Sequence, residues 1–212
     1  MERPNYLAQI RQRIADAELG TVFIPSDFFD IAEAVKVNMC LHRLKKSDDL
    51  IMVMRGVFAK PRHSALLDKG IPPSFGNIAK AIARNYGWTI VPCGDTALNN
   101  LGLSTQLTSV YSYMSDGPYK TYTIDGMQIT FKHTNRTNEL NGVSFQTALV
   151  IQALRALERD NITMKELKKI SEHLSSSEKK KLHAESQHIT SWVYENIKLI
   201  CKEDENSHEA SR

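Results

Sequence analysis

Residues 34–63, AVKVNMCLHRLKKSDDLIMVMRGVFAKPRH, constrain this chain more than any other stretch. Between Ala34 and Lys46, Val37, Leu41 and Leu44 recur at i, i+4 and i+7, the spacing of a buried helical stripe. Met39, His42, Arg43 and Lys46 fall on the opposite face, with Lys36 beside them. LIMVM, Arg55-Gly56 and VFAKP then read as strand, tight turn and strand, because glycine supplies the positive φ that such a turn commonly needs. A short helix followed at once by a hairpin leaves few arrangements open.

The preceding residues narrow them further. In NYLAQIRQRIADAELG, Leu7, Ile10, Ile14 and Ala17 share one helical stripe, and Gly20 is a natural stop. TVFIP reads as a very short strand. PSDFFDIA reads as a short helix capped by Ser26, with Asp27 at its positive end. Helix, strand, helix, helix and hairpin is the order of a winged helix-turn-helix, expected over residues 1–66.

The net charge of +3 does not by itself mark a nucleic-acid binder. Its distribution says more: residues 34–63 hold seven Lys and Arg against two acidic residues, Asp48 and Asp49. Lys36, Asn38, Met39, His42 and Arg43 occupy the half of the helix that would enter a major groove. Arginine can hold guanine, and asparagine adenine, by paired hydrogen bonds, whereas Met39 offers only apolar contact, as to a thymine methyl. Lys45, Lys46, Arg55, Lys60 and Arg62 are expected on phosphates of double-stranded DNA.

HSALLDKGIPPS reads as a connector and the domain boundary. Residues 72–160 are expected to form an α+β domain. FGNIAKAIARNYG is a helix, WTIVP a buried strand, and GDTALNNLGLS a short helix opened by Asp95 and closed by Gly102. SVYSYM, YKTYTI and MQITFKH are strands joined at SDGP and DG, an antiparallel meander by turn chemistry. Residues 161–200 read as C-terminal helices packing Leu182, Ile189, Trp192 and Ile197 onto that domain. Residues 201–212 read as a disordered tail. The expected class is thus α+β: a winged helix-turn-helix, a mixed α/β domain and a C-terminal helical segment.

Catalytic signals are poor. Cys40, Cys93 and Cys201 are odd in number and form no C-x-x-C pair, so neither a disulfide framework nor a zinc site is suggested. His63, His133, His173, His183, His188 and His208 lack ligand spacing, and Ser104 and Ser112 lack a nucleophile elbow. Cys93, in VPCGD, follows a strand where a nucleophile could sit, yet no partnered base can be named. Lys179–Lys181 are balanced by Glu172, Glu178 and Glu185, as on a solvated helix face. No enzymatic activity, metal or cofactor is expected. MERPNYLAQIRQR lacks the apolar core of a signal peptide, and no apolar run approaches the roughly 20 residues of a membrane span. A cytoplasmic location is expected, with no membrane partner.

With these pieces in order, the chain resembles the AbiEi family of antitoxin-type transcriptional regulators over nearly all of residues 5–200. The resemblance is carried by GTVFIPSDFFDI, LHRLKK, MRGVFAKP, IAKAIARNYGWTIVPCGDTALNNLGLSTQ, YMSDGPYKTYTIDGMQITFKHT and LVIQALRAL. It is most specific in PCGDTALNNLGLSTQ and FKHT, where Gly94, Asn99, Ser104 and Gln106 stand. It implies a winged helix that binds operator DNA and represses its own operon; two copies, a homodimer on repeated or inverted half-sites, would fit such a repressor. It also implies a second domain that neutralises a nucleotidyltransferase-like toxin without a stable complex, in the manner of type IV toxin–antitoxin systems. The chain departs from the family pattern at Ala32-Glu33, where relatives commonly have Gly-Ser, and at Met52-Val53-Met54, where they tend to carry arginines. It departs again at Cys93-Gly94, where they often have Ser-Gly. The alternative is a module whose winged domain holds a protein partner instead of DNA.

Overall fold

The computed structural model describes residues 5–64 and 67–209, and the chain divides into two compact units, Met1–Trp88 and Thr89–Arg212. The class is α+β: small sheets flanked by helices.

The first unit opens with α1 (Tyr6–Asp16), whose first turn is capped by Asn5, its side chain accepting the Ala8 N–H at 3.1 Å. Ile10 and Ile14 are buried, as their spacing demands. After β1 (Val22–Phe23), the segment expected as a capped helix closes into a single 3₁₀ turn, Pro25–Phe28. Ser26 is not its cap. Ile24 holds that position, and the Asp27 carboxylate within the turn reaches back to accept the Ile24 N–H at 2.9 Å, while the fully buried Phe28 pins the turn to the core. α2 (Ala34–Lys46) has the expected span, with Val37, Leu41 and Leu44 fully buried. Glu33 at its N-cap makes no side-chain hydrogen bond, so packing rather than capping holds this helix.

β2 (Ile51–Met54) and β3 (Val57–Ala59) form the hairpin on Arg55-Gly56, where Gly56 takes φ +79°. β3 also pairs with β1, giving the order β1-β3-β2. The central strand is buried along its length, and Phe23, Phe58 and Phe28 join the apolar faces of α1 and α2 in one core.

The connector is not structureless. β4 (Arg62–Ser64) pairs antiparallel with β5 (Leu67–Ile71), and α3 (Phe75–Tyr86) follows, capped by Ser74. α3 packs on β1 and β3. Its Arg84 reaches Asp27 with two hydrogen bonds (2.9 and 2.8 Å) and the Val22 carbonyl at 3.2 Å. The division therefore falls after Trp88, later than the glycine- and proline-bearing stretch where turn chemistry alone put it.

In the second unit β6 (Ile90–Pro92) leads to α4 (Asp95–Asn100), and then to β7 (Val110–Ser115), β8 (Lys120–Ile124) and β9 (Met127–His133). The sheet order is β6-β7-β9-β8, with β7 and β9 parallel, so the expected antiparallel meander is not formed. Turn residues announce a reversal of direction but not which strand becomes the neighbour. Burial decides that. β9 buries Ile129, Thr130 and Phe131 in succession and takes an inner place, while β8 is largely exposed and takes the edge. His133 braces the crossing, with one ring nitrogen 2.9 Å from the Gly117 carbonyl and the other 2.9 Å from the Asn135 side chain.

α5 (Phe145–Leu157) is buried from Thr147 to Leu154 and is wrapped by α6 (Met164–Glu172), α7 (Ser176–Glu185) and α8 (Ser191–Glu209). Leu182 and Ile197 enter this core, and Ile189 and Trp192 pack against it. Two expectations need correction. Lys179, read as solvated, is buried at 7% exposure. The tail read as disordered continues α8 to Glu209: Lys and Glu are good helix formers, and they extend a helix already anchored by Val193, Ile197 and Ile200. The remainder of that tail lies outside the described residues. Arg155 and Glu139 form a largely buried ion pair at 2.6 Å, and Arg155 also donates to Thr190.

Candidate nucleic-acid interface

α2 buries Val37, Cys40, Leu41 and Leu44, so the line through residues 35, 39, 42 and 46 must face away from the core. Lys36, Asn38, Met39, His42, Arg43, Lys45 and Lys46 are all exposed. Val35, Asn38, Met39, His42, Arg43 and Lys46 line one shallow open depression. Val35 is 71% exposed and was not singled out in the sequence, where a valine at a helix start reads as a core residue. Its spacing of four from Met39 was the available signal.

The cations differ in how far they are committed. Among the described residues, Arg43, Lys45, Lys46 and Arg55 form no ion pair. Lys36 lies 3.7 Å from Glu33 and over the Tyr6 ring at 5.5 Å. Asn38 returns its amide to the Ala34 carbonyl at 2.9 Å, and His42 sets its ring edge-on to Phe58 at 6.2 Å. Both are exposed on their outer side and can exchange those contacts for others. Asp49, one of the two acidic residues nearby, is bonded by Arg11 and Ser47.

Lys60 departs from its expected role as a phosphate contact. Its ammonium donates to the Ala15 carbonyl at 2.6 Å and to the Ala17 carbonyl at 2.7 Å, closing the C-terminal end of α1, where a cation is favoured. Arg62 is exposed, but its stem runs along Gly20: a Cβ there would stand 2.7 Å from Arg62 Cδ. The structure thus gathers the α2 residues and leaves Lys60 in the scaffold.

In the second unit, the residues most specific to the resemblance build a loop. Gly94 precedes α4, Asn99 donates to the Gln106 carbonyl at 3.0 Å, and Ser104 Oγ accepts the Gln106 N–H at 3.2 Å. Leu107 beside them is fully exposed. The nucleophile candidates read differently. Cys93 is buried and desolvation pushes its thiol up to about 11, the reverse of an activated nucleophile. The same burial raises the nearby Tyr113 phenol to about 12. Among the described residues no group of His, Cys, Asp or Glu is placed to hold a metal ion, and no helix is long and apolar enough to cross a membrane.

Comparison with known proteins adds a family without a function. A family model described as "Family of unknown function (DUF6088)" matches residues 9–182. No curated protein matches the chain. Among solved structures, the RV2827C protein from Mycobacterium tuberculosis is similar at 11% identity and a TM-score of 0.42, over 94% of this chain and 77% of that one.

Proposed function

We propose that this chain, which belongs to the DUF6088 family of unknown function, is a DNA-binding transcriptional regulator of the antitoxin type. In this reading the first unit is a winged helix-turn-helix whose second helix is reduced to the Pro25–Phe28 turn. α2 enters the major groove, and the β2–β3 hairpin is the wing that sets Arg55 on the flanking backbone. Two copies on repeated or inverted half-sites repress the chain's own operon. The second unit counteracts a nucleotidyltransferase-like toxin without holding it in a stable complex.

One observation carries the DNA half of this reading. The outward side of α2 is open along its length, and Arg43, Lys45 and Lys46 on it are not neutralised by any described carboxylate. Unpaired cations gathered on one open face are what a polyanion selects. The antitoxin half rests on the motif resemblance alone.

The test is a gel-shift on duplex from the chain's own promoter. Affinity should fall with salt by roughly 0.9 log units per log unit of salt for each phosphate neutralised. Arg43→Ala and Arg55→Ala should each weaken binding; two variants that shift the probe as well as the parent would show the assignment wrong. For the antitoxin half, co-expression with a nucleotidyltransferase-like product of an adjacent gene should restore growth, and continued arrest refutes it. A second reading, a protein-binding module, is favoured by Ile51 and Met52, which stand exposed (37% and 41%) on the edge strand β2. It predicts weak DNA binding with little salt dependence.

A further inference from the structure

We infer that Val35 and Met39 are specificity determinants that seat thymine C5-methyl groups in the major groove, so that the preferred duplex is one whose thymine methyls line up under α2. This rests on the DNA reading above and deepens it. Val35 and Met39 are one helical turn apart on the outward line of α2, 71% and 53% exposed. A single exposed apolar side chain is ordinary. Two on the same line, both lining one depression, place apolar surface among the polar groups of that face.

The surroundings select the occupant. The depression is also lined by Asn38, His42, Arg43 and Lys46, with no acidic side chain among its lining residues. A second copy of this chain would bring the same cations face to face, which like-charge repulsion opposes. A duplex brings phosphates to those cations. Within its major groove, the thymine methyl is the apolar feature of the base edges, and aliphatic side chains recognise it by contact. Asn38 lies between the two apolar residues in sequence, on the same depression, and among the described residues its amide is held by a bond to the Ala34 carbonyl. Exchanging that bond for the paired adenine edge would let one helix turn read both members of an A·T pair. The polar groups of the face set affinity; the apolar pair sets which bases are tolerated.

The experiment separates this inference from the reading beneath it. Full-length protein first selects its site from a random duplex library, and the selected site is then resynthesised with deoxyuridine in place of thymidine, which removes only the methyl groups. The parent should bind the uracil duplex about fourfold more weakly for each methyl buried against α2. The Val35→Ala/Met39→Ala variant, altered at exposed positions and checked for an unchanged thermal melt, should bind both duplexes equally. Parental binding that ignores the methyl groups overturns the inference while leaving DNA binding intact. A variant that still discriminates places methyl recognition elsewhere and overturns the assignment to Val35 and Met39. Failure to enrich any duplex overturns the DNA reading and this inference together.

Discussion

Lys46 and Lys60 are both basic residues of the same thirty-residue stretch, and replacing each with Met should have opposite consequences. Lys60 donates to the Ala15 and Ala17 carbonyls at 2.6 and 2.7 Å. Charge-assisted hydrogen bonds contribute about 1.5–3 kcal/mol each when well buried. Here Lys60 is half-buried and the Ala15 carbonyl can be reached by water, so the pair together is assigned about 2 kcal/mol. For a unit the size of Met1–Trp88 that is a fall in Tm on the order of 10 °C. Because the ammonium is already engaged by carbonyls, Lys60→Met should leave the salt slope of DNA binding unchanged. Lys46 forms no ion pair among the described residues, so Lys46→Met should leave the Tm near the parent's. It should reduce the slope of log affinity against log salt by about 0.9. Calorimetry and a salt titration by fluorescence anisotropy read the two quantities separately. If Lys60→Met lowers the salt slope and spares the Tm, the division of these cations into scaffold and interface is wrong.

Arg155→Met strands the Glu139 carboxylate, 5% exposed, without a cation, and should destabilise the second unit by about 3–5 kcal/mol in urea unfolding. The double variant Glu139→Gln/Arg155→Met should recover much of that; a double variant as unstable as the single one would refute the stranded-charge account. Alkaline pH should also weaken the second unit. The Cys93 thiol is raised from 9.0 to about 11, so the unfolded chain loses this proton first. Stability is full below the unfolded value and falls by up to about 1.4 kcal/mol per pH unit above it. Urea midpoints at about pH 8 and about pH 10 should differ less for Cys93→Ala than for the parent. Gly20→Ala places a Cβ at φ +82° and 2.7 Å from Arg62 Cδ, and should cost about 1–3 kcal/mol by thermal melt. The Arg62 stem can move aside but the backbone cannot, so an unchanged melt would refute the strain assigned to φ +82°.

Local rules did much of the work in this chain because helical periodicity and turn chemistry are written in neighbouring residues. Val37, Leu41 and Leu44 gave the span and the inward side of α2, and Arg55-Gly56 gave the hairpin. The same periodicity placed Lys36, Met39, His42, Arg43 and Lys46 outside, where they stand. What depends on distant partners was not legible. Residues 25–28 closed into one turn because Asp27 serves both the Ile24 N–H and Arg84, a residue far along the chain. β9 took an inner place because its consecutive residues Ile129, Thr130 and Phe131 are buried on both faces of the sheet, a competition among strands that no single turn encodes. Lys60 and Lys46 look alike as letters, and only the fold brought one of them to the open carbonyls of α1. Sequence by itself therefore determined which segments could be helices and strands, and where positive charge is dense. Tertiary structure decided which of those charges are consumed internally and which remain free for a partner, because a lysine's partner is set by what lies within a few ångströms in space and not by its neighbours in the chain.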